Sequence, residues 1–189
     1  MKRFLPNALT LLRLVLTPLI IGLLLQDPPL FLPAAICFLV ASLSDFGDGF
    51  LARLWKQESA LGAWLDPFAD KLLLTSLFLL FAWKALLPPL VWGVVVGRDL
   101  LILAGTFLLR KAGKILTIQP LWISKLNTVF QMSLICGALG MGAWGLKIEE
   151  ISASVFFHWL TGLTVLTTVL SGIAYGYKGW VLCNRQPNN

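Results

Sequence analysis

Four aspartates lie in two closely spaced pairs within one short stretch of a chain that is otherwise 58% hydrophobic. The first pair is Asp45 and Asp48, and the second pair is Asp66 and Asp70. Carboxylates are hard oxygen ligands, which suit Mg²⁺ or Mn²⁺ and leave coordination positions for phosphate oxygens. Four carboxylates are enough to bind two such ions, so this stretch is a candidate metal site.

Helical spacing would bring these four side chains together. At about 100° per residue, Asp45 and Asp48 lie roughly 60° apart on a helix. Asp66 and Asp70 follow Gly62 in steps of roughly 40° each and form a single stripe. Two antiparallel helices joined by a short loop would therefore aim four carboxylates into one cleft, where glycines leave room for a ligand or a neighbouring helix.

The rest of the chain has the composition of an integral membrane protein. Only 13% of its 189 residues are charged, and apolar stretches long enough to cross the hydrocarbon core, about 20 residues, recur along it. We therefore expect an all-α integral membrane protein that forms one domain over residues 1–189. Six candidate transmembrane helices lie between turn signals, at Ala8–Leu25, Leu30–Trp55, Leu61–Trp83, Leu87–Leu109, Leu121–Ala143 and Ser154–Tyr177.

Basic residues outside these spans predict the orientation, because Lys and Arg favour the cytoplasmic side of a membrane. One side carries eight of them, whereas the other carries Lys84 and Lys147. With an even number of spans, both termini and the aspartate cleft face the cytoplasm. The net charge of +6 has the same origin, so we expect no nucleic-acid partner. A bacterial-type inner or cytoplasmic membrane, or an equivalent organelle membrane, is the expected location.

The spacing around the aspartates resembles a known signature. The CDP-alcohol phosphotransferase family shows D-x-x-D-G-x-x-A-R, eight residues, then G-x-x-x-D-x-x-x-D, and six spans match its core. The run PNALTLLR near the start of the chain is also similar to the start of this family, and the resemblance covers nearly the whole chain. Every signature position is filled here, by Asp45, Asp48, Gly49, Ala52, Arg53, Gly62, Asp66 and Asp70.

The resemblance implies an enzyme that moves a phosphatidyl group from CDP-diacylglycerol to an alcohol and releases CMP. The four aspartates would hold two Mg²⁺ or Mn²⁺ ions on the diphosphate. Asp70 would also be the general base for the acceptor hydroxyl. The resemblance further implies a homodimer in a lipid membrane. The residues that would border the CDP moiety are Gly49, Ala52, Arg53 and Gly62, with Arg53 on a phosphate.

Two cations in later spans are candidates for binding the acceptor. Arg98 and Lys125 lie in apolar stretches, where a charge is costly unless it meets an anion. They could hold an anionic acceptor through its phosphate, with Arg favoured for a forked contact. Alternatively, they could pair with Asp99 or extend toward the membrane surface, and serve only the packing of the helices.

A finer resemblance concerns the acceptor. The runs ESALGAWLDPFADK, GRDLLILAGTF and ISKLNTVFQ resemble the CMP-forming cardiolipin synthases of the family. Asn127 and Val129 depart from the pattern of the phosphatidylglycerophosphate synthases. The resemblance therefore favours phosphatidylglycerol as a glycerol-bearing acceptor that yields cardiolipin, with glycerol 3-phosphate as the alternative.

Two other classes of function compete with an enzyme. A divalent-cation transporter also places carboxylates in the membrane, but the acidic residues cluster toward one end of two spans and the chain has no internal repeat of the transporter kind. In a purely structural subunit, the aspartates would pair with Arg53, Lys71 or Arg98. These bases are too few for four carboxylates, which favours the enzyme.

Overall fold

The chain is described here by a computed structural model, which covers the backbone of residues 5–55, 62–111 and 121–184. Side-chain surroundings are described for residues 11–44, 71–108 and 121–181. All regular elements in these ranges are helices, which confirms the all-α prediction. They are α1 (Leu5–Leu25), α2 (Phe31–Trp55), α3 (Gly62–Trp83), α4 (Pro89–Lys111), α5 (Trp122–Ala143), α6 (Ile148–Ala153) and α7 (Val155–Asn184).

The six long helices coincide with the six predicted spans, and the largest difference is at the end of α7. This helix continues to Asn184 instead of ending at Tyr177. No proline interrupts the sequence until Pro187, so the backbone can continue as a helix past the predicted boundary.

The short helix α6 lies between the fifth and sixth predicted spans, of which the first ends at Ala143 and the second begins at Ser154. The backbone N–H of Lys147 donates a hydrogen bond of 2.8 Å to the Glu150 carboxylate, which caps the first turn. Ile151 is fully buried and anchors the helix against the rest of the protein. A cap and one buried apolar side chain are therefore enough to form a helix of six residues that hydropathy alone does not reveal.

Among the residues whose side chains are described, three helical segments are long and apolar enough to cross a membrane, at Pro89–Leu108, Trp122–Ala143 and Val155–Val181. In the first three helices the apolar stretches with described side chains are shorter, at Leu11–Leu25, Phe31–Ser44 and Lys71–Trp83. Large apolar side chains also point outward from the bundle. Leu43, Leu90 and Val155 are each at least 70% exposed, as expected where a helix faces lipid.

Helix packing places α1 against both of the helices that carry the aspartates, α2 and α3. On the other side of the bundle, α5 contacts α2, α3 and α7, and α4 contacts α3 and α7. The interior between these helices is apolar, with Phe38, Leu77 and Ile135 almost completely buried. Both aspartate-bearing helices thus contact a second group of packed helices, α2 through α5, and α3 through α4 and α5.

A close crossing of α2 and α5 depends on a glycine near the end of α5. The aromatic ring of Phe31 lies against the backbone at Gly142, and a Cβ atom at this position would overlap the ring carbons. Gly140, one half-turn earlier on the same helix, has open space where its Cβ would be. Gly142 is therefore required by packing, as small residues often are where membrane helices approach closely.

Candidate functional site

The predicted metal ligands lie on two helices, as the sequence analysis expected. Asp45 and Asp48 belong to α2, and Asp66 and Asp70 belong to α3. Their side chains lie outside the described part of the structure, and so do those of the predicted CDP-binding residues Gly49, Ala52, Arg53 and Gly62. The backbone is helical at all of these positions, so the spacing argument applies, while the cleft itself stays a prediction.

The donor chemistry of this set fits divalent cations. Four carboxylates supply the hard oxygen ligands that Mg²⁺ and Mn²⁺ prefer. Among the residues whose side chains are described, no group of three or more His, Cys, Asp or Glu side chains gathers at one place. The candidate metal centre is therefore the aspartate set on α2 and α3.

Arg98 on α4 is held by partners from three helices. Its Nη1 donates to Asp99 Oδ1 at 2.7 Å, and its Nη2 donates to the hydroxyls of Ser124 on α5 at 2.5 Å and Ser171 on α7 at 2.8 Å. Its Nε donates to Ser171 at 3.2 Å. The ring centroid of Tyr175 lies 5.7 Å from the guanidinium carbon, within the range of a cation–π contact.

These contacts use most of the hydrogen-bonding capacity of Arg98. A guanidinium has five N–H donors, and the four contacts leave one N–H on Nη1. The side chain is 11% exposed. Of the alternatives for Arg98, pairing with Asp99 is therefore present in the structure, and the residue joins α4, α5 and α7. The predicted contact of Arg98 with an acceptor stays a prediction.

Asp99 shares its carboxylate between two cations. Oδ1 accepts from Arg98, while Oδ2 lies 3.5 Å from Nζ of Lys71 on α3. The Lys71 side chain is 37% exposed and the Asp99 side chain 19%. Two cations and one carboxylate give this cluster one net positive charge. Because Lys71 directly follows Asp70, the cluster connects the helix of the predicted base with the surroundings of Arg98.

Lys125 differs from Arg98 in its exposure. It follows Ser124, which binds Arg98, but its own side chain is exposed. Its Nζ lies 5.1 Å from the ring centroid of Trp122, and Trp122 itself is 79% exposed. An exposed cation beside an exposed aromatic ring is typical of the membrane interface, where it is accessible to an anionic head group.

A buried polar contact joins α5 to α7 about one helical turn after Ser124 in the chain. Asn127 Oδ1 lies 2.6 Å from Thr168 Oγ1 and 3.2 Å from Thr167 Oγ1. Each hydroxyl also lies within 2.8 Å of a carbonyl of its own helix. Since a hydroxyl donates only one hydrogen, an amide turned to place Nδ2 toward the threonines would donate to both hydroxyls and let them donate to their own carbonyls. In either orientation of the amide, the contact of Asn127 with the two threonines fixes α5 against α7.

Ser124, Ser171 and the threonines of α7 were not predicted from the sequence as partners of the site. A signal for them was present in α7, because polar residues recur there at the helical spacing i, i+3, i+4, i+7 in an apolar span. These residues are Thr164, Thr167, Thr168 and Ser171, and all are buried.

The fold and the site together define a helical membrane protein with a charged cluster among α3, α4, α5 and α7. Residues 3–170 match the family model described as CDP-alcohol phosphatidyltransferase. This match spans most of the chain and includes the whole aspartate signature. The chain belongs to the CDP-alcohol phosphatidyltransferase family.

The curated relatives that this chain matches are named for two different reactions, cardiolipin synthesis and phosphatidyl transfer to glycerol 3-phosphate. The chain is 30% identical to the CMP-forming cardiolipin synthase of Rattus norvegicus, over 92% of this chain and 61% of the relative. It is 32% identical to the chloroplastic CDP-diacylglycerol--glycerol-3-phosphate 3-phosphatidyltransferase 1 of Oryza sativa subsp. japonica, over 94% and 58%. It is 36% identical to the CDP-diacylglycerol--glycerol-3-phosphate 3-phosphatidyltransferase of Escherichia coli (strain K12), over 80% and 84%. The chain thus spans about three-fifths of the length of the first two relatives, at 61% and 58%.

Proposed function

We propose that the chain is an enzyme of phospholipid biosynthesis, which transfers a phosphatidyl group from CDP-diacylglycerol to the hydroxyl of a glycerol-bearing acceptor and releases CMP. The observation that carries this proposal is the family match over residues 3–170, which includes a complete aspartate signature on α2 and α3. Phosphatidylglycerol, which yields cardiolipin, is the leading acceptor. Glycerol 3-phosphate is the alternative, and relatives named for each reaction support both.

The proposed arrangement in the membrane is one domain over residues 1–189 with six transmembrane helices. Three described helices have the length and composition of a span, and the distribution of basic residues favours both termini and the cleft on the cytoplasmic side. Nucleotides and Mg²⁺ are available on that side. A homodimer is proposed from the family resemblance. Membership of a transferase family argues against the divalent-cation transporter.

The chemistry follows from the residues of the signature. In the proposed reaction, the acceptor oxygen bonds to the lipid-bearing phosphorus while the bond from that phosphorus to CMP breaks, and CMP leaves with the electron pair. Asp70 accepts the proton of the acceptor hydroxyl. Two divalent ions, Mg²⁺ or Mn²⁺, held by the four aspartates would supply neutralisation of the diphosphate charge. Arg53 would contact a phosphate of the CDP moiety, beside Gly49, Ala52 and Gly62.

An anionic acceptor would bind beside Arg98 and Lys125. Lys125 is exposed, so its ammonium can reach a phosphate without breaking a buried contact. Arg98 keeps one N–H and its positive charge, and its orientation is set by two serines and Asp99. We therefore assign to Lys125 a direct contact with the acceptor and to Arg98 a fixed positive charge beside it.

The test compares acceptors for the purified protein in detergent with CDP-diacylglycerol and Mg²⁺ or Mn²⁺. Phosphatidylglycerol, glycerol 3-phosphate, inositol phosphate and serine are offered separately, and the lipid products are identified by mass spectrometry. Cardiolipin from phosphatidylglycerol is the expected result. If only glycerol 3-phosphate supports turnover, glycerol 3-phosphate is the acceptor and the proposed reaction class stands. The absence of product with all four acceptors would overturn the proposed function.

A further inference from the structure

The cations near Asp99 differ in how firmly they are held. Arg98 is mostly buried and makes hydrogen bonds to Asp99, Ser124 and Ser171. Lys71 is more exposed, at 37%, and its ion pair with Asp99 has a length of 3.5 Å. A partly exposed ion pair at this distance contributes little to stability. Lys71 can therefore exchange Asp99 for another anion at low cost, whereas Arg98 cannot.

The position of Lys71 favours a contact with the acceptor over a contact with the CDP-diacylglycerol donor. It directly follows Asp70, the proposed base, and its contact with Asp99 points it toward α4. Arg98 lies on the other oxygen of the same carboxylate, and α4 is not part of the donor signature. Three of the four proposed CDP-binding positions lie on α2, and the fourth, Gly62, lies at the start of α3, nine residues before Lys71.

We infer that Lys71 is a third cation of the acceptor site, held by Asp99 until an anionic acceptor binds. This inference rests on the proposed function. When the acceptor enters, the Lys71 ammonium turns from the Asp99 carboxylate to the acceptor's phosphate and makes a charge-assisted hydrogen bond. Asp99 stays paired with Arg98. Side chains at residues 70 and 71 of α3 point about 100° apart, so the Lys71 ammonium would meet the acceptor's phosphate while the Asp70 carboxylate meets its hydroxyl.

The two members of the ion pair are expected to respond differently to substitution. Lys71→Met removes the cation, and we expect the KM for phosphatidylglycerol to rise about tenfold while the KM for CDP-diacylglycerol stays within about twofold. Lys71→Arg keeps a cation and should restore the acceptor KM to within about twofold of wild type. Asp99→Asn keeps an oxygen for Arg98 Nη1 but loses the charge that holds Lys71. It should leave the acceptor KM at or below the wild-type value.

The experiment measures CMP release by the full chain at varied concentrations of each substrate, after thermal unfolding has shown that each variant is folded. A purely structural ion pair predicts the opposite pattern, in which Lys71→Met and Asp99→Asn raise the acceptor KM alike. An equal rise of the acceptor KM in both variants would overturn the inference. So would a wild-type acceptor KM in Lys71→Met, or a rise in Lys71→Met that is confined to the KM for CDP-diacylglycerol. If wild-type protein releases CMP, such results leave the proposed function intact. If wild-type protein releases none with any acceptor, both fail.

Discussion

Ser171 on α7 accepts two hydrogen bonds from Arg98 on α4, from Nε at 3.2 Å and from Nη2 at 2.8 Å. This one hydroxyl fixes the plane of the guanidinium, and Ser171 is completely buried. Gly172, the next residue on α7, lies beside the Arg98 stem, since its Cβ would be 3.6 Å from Arg98 Cγ. The packing of α4 against α7 is thus built around an arginine, which gives this residue a structural role in addition to its proposed electrostatic one.

Removing the Arg98 guanidinium should destabilise the protein. Arg98→Met keeps most of the aliphatic stem but leaves Asp99, Ser124 and Ser171 without their shared donor, and we expect the free energy of unfolding to fall by about 3 kcal/mol. Thermal unfolding of the purified protein in detergent measures this change.

Lys125→Met is the matched control for this loss of charge. Lys125 is exposed and contacts the ring of Trp122, so its removal should change the free energy of unfolding by less than about 1 kcal/mol. The same variant should raise the KM for an anionic acceptor. Equal destabilisation by the two substitutions would contradict the difference in burial and contacts on which the roles of these cations depend.

The helix crossing at Gly142 gives a second stability prediction. Gly142→Ala places a Cβ atom on the Phe31 ring, so the ring or α5 must shift, and we expect a loss of about 1–3 kcal/mol. Gly140→Ala on the same helix meets open space and should be neutral or slightly stabilising, because alanine favours a helix. Thermal unfolding of both variants checks the pair. A stable Gly142→Ala protein would mean that α2 and α5 are packed less closely than described.

The proposed base gives a prediction on activity. Asp70→Asn removes the group that accepts the acceptor's proton, and we expect CMP release to fall by about 100-fold or more, while the protein still inserts into membranes. Asp27→Asn is the control, because Asp27 is exposed in the connection between α1 and α2. It should keep wild-type activity. Wild-type turnover in Asp70→Asn would remove Asp70 from the base role.

Much of the fold was predictable from the sequence because membrane helices are long and apolar. The six long helices follow directly from this property. The short helix α6 was not predictable in the same way, because it depends on a cap at Glu150 and on the burial of Ile151. The end of α7 was also misplaced, since no proline or other break marks Tyr177.

The candidate site divides into a predictable and an unpredictable half. The helical positions of the aspartates follow from local spacing within α2 and α3. The surroundings of Arg98 depend on tertiary packing, because its partners Ser124 and Ser171 lie 26 and 73 residues away in the chain. Pairing with Asp99 was one of the alternatives that the sequence offered, since the two residues are adjacent. The contact of Asp99 with Lys71 required the packing of α3 on α4.

The central claim is most directly tested by measuring CMP release from CDP-diacylglycerol by the purified full chain, with phosphatidylglycerol as the acceptor. The predicted result is formation of CMP and cardiolipin in equal amounts when Mg²⁺ or Mn²⁺ is present. Chelation with EDTA should abolish release, and either ion added back in excess should restore it. Release that persists in EDTA would contradict the metal-assisted account, and the absence of release with phosphatidylglycerol and with every other acceptor would contradict the assignment of a phosphatidyl transferase.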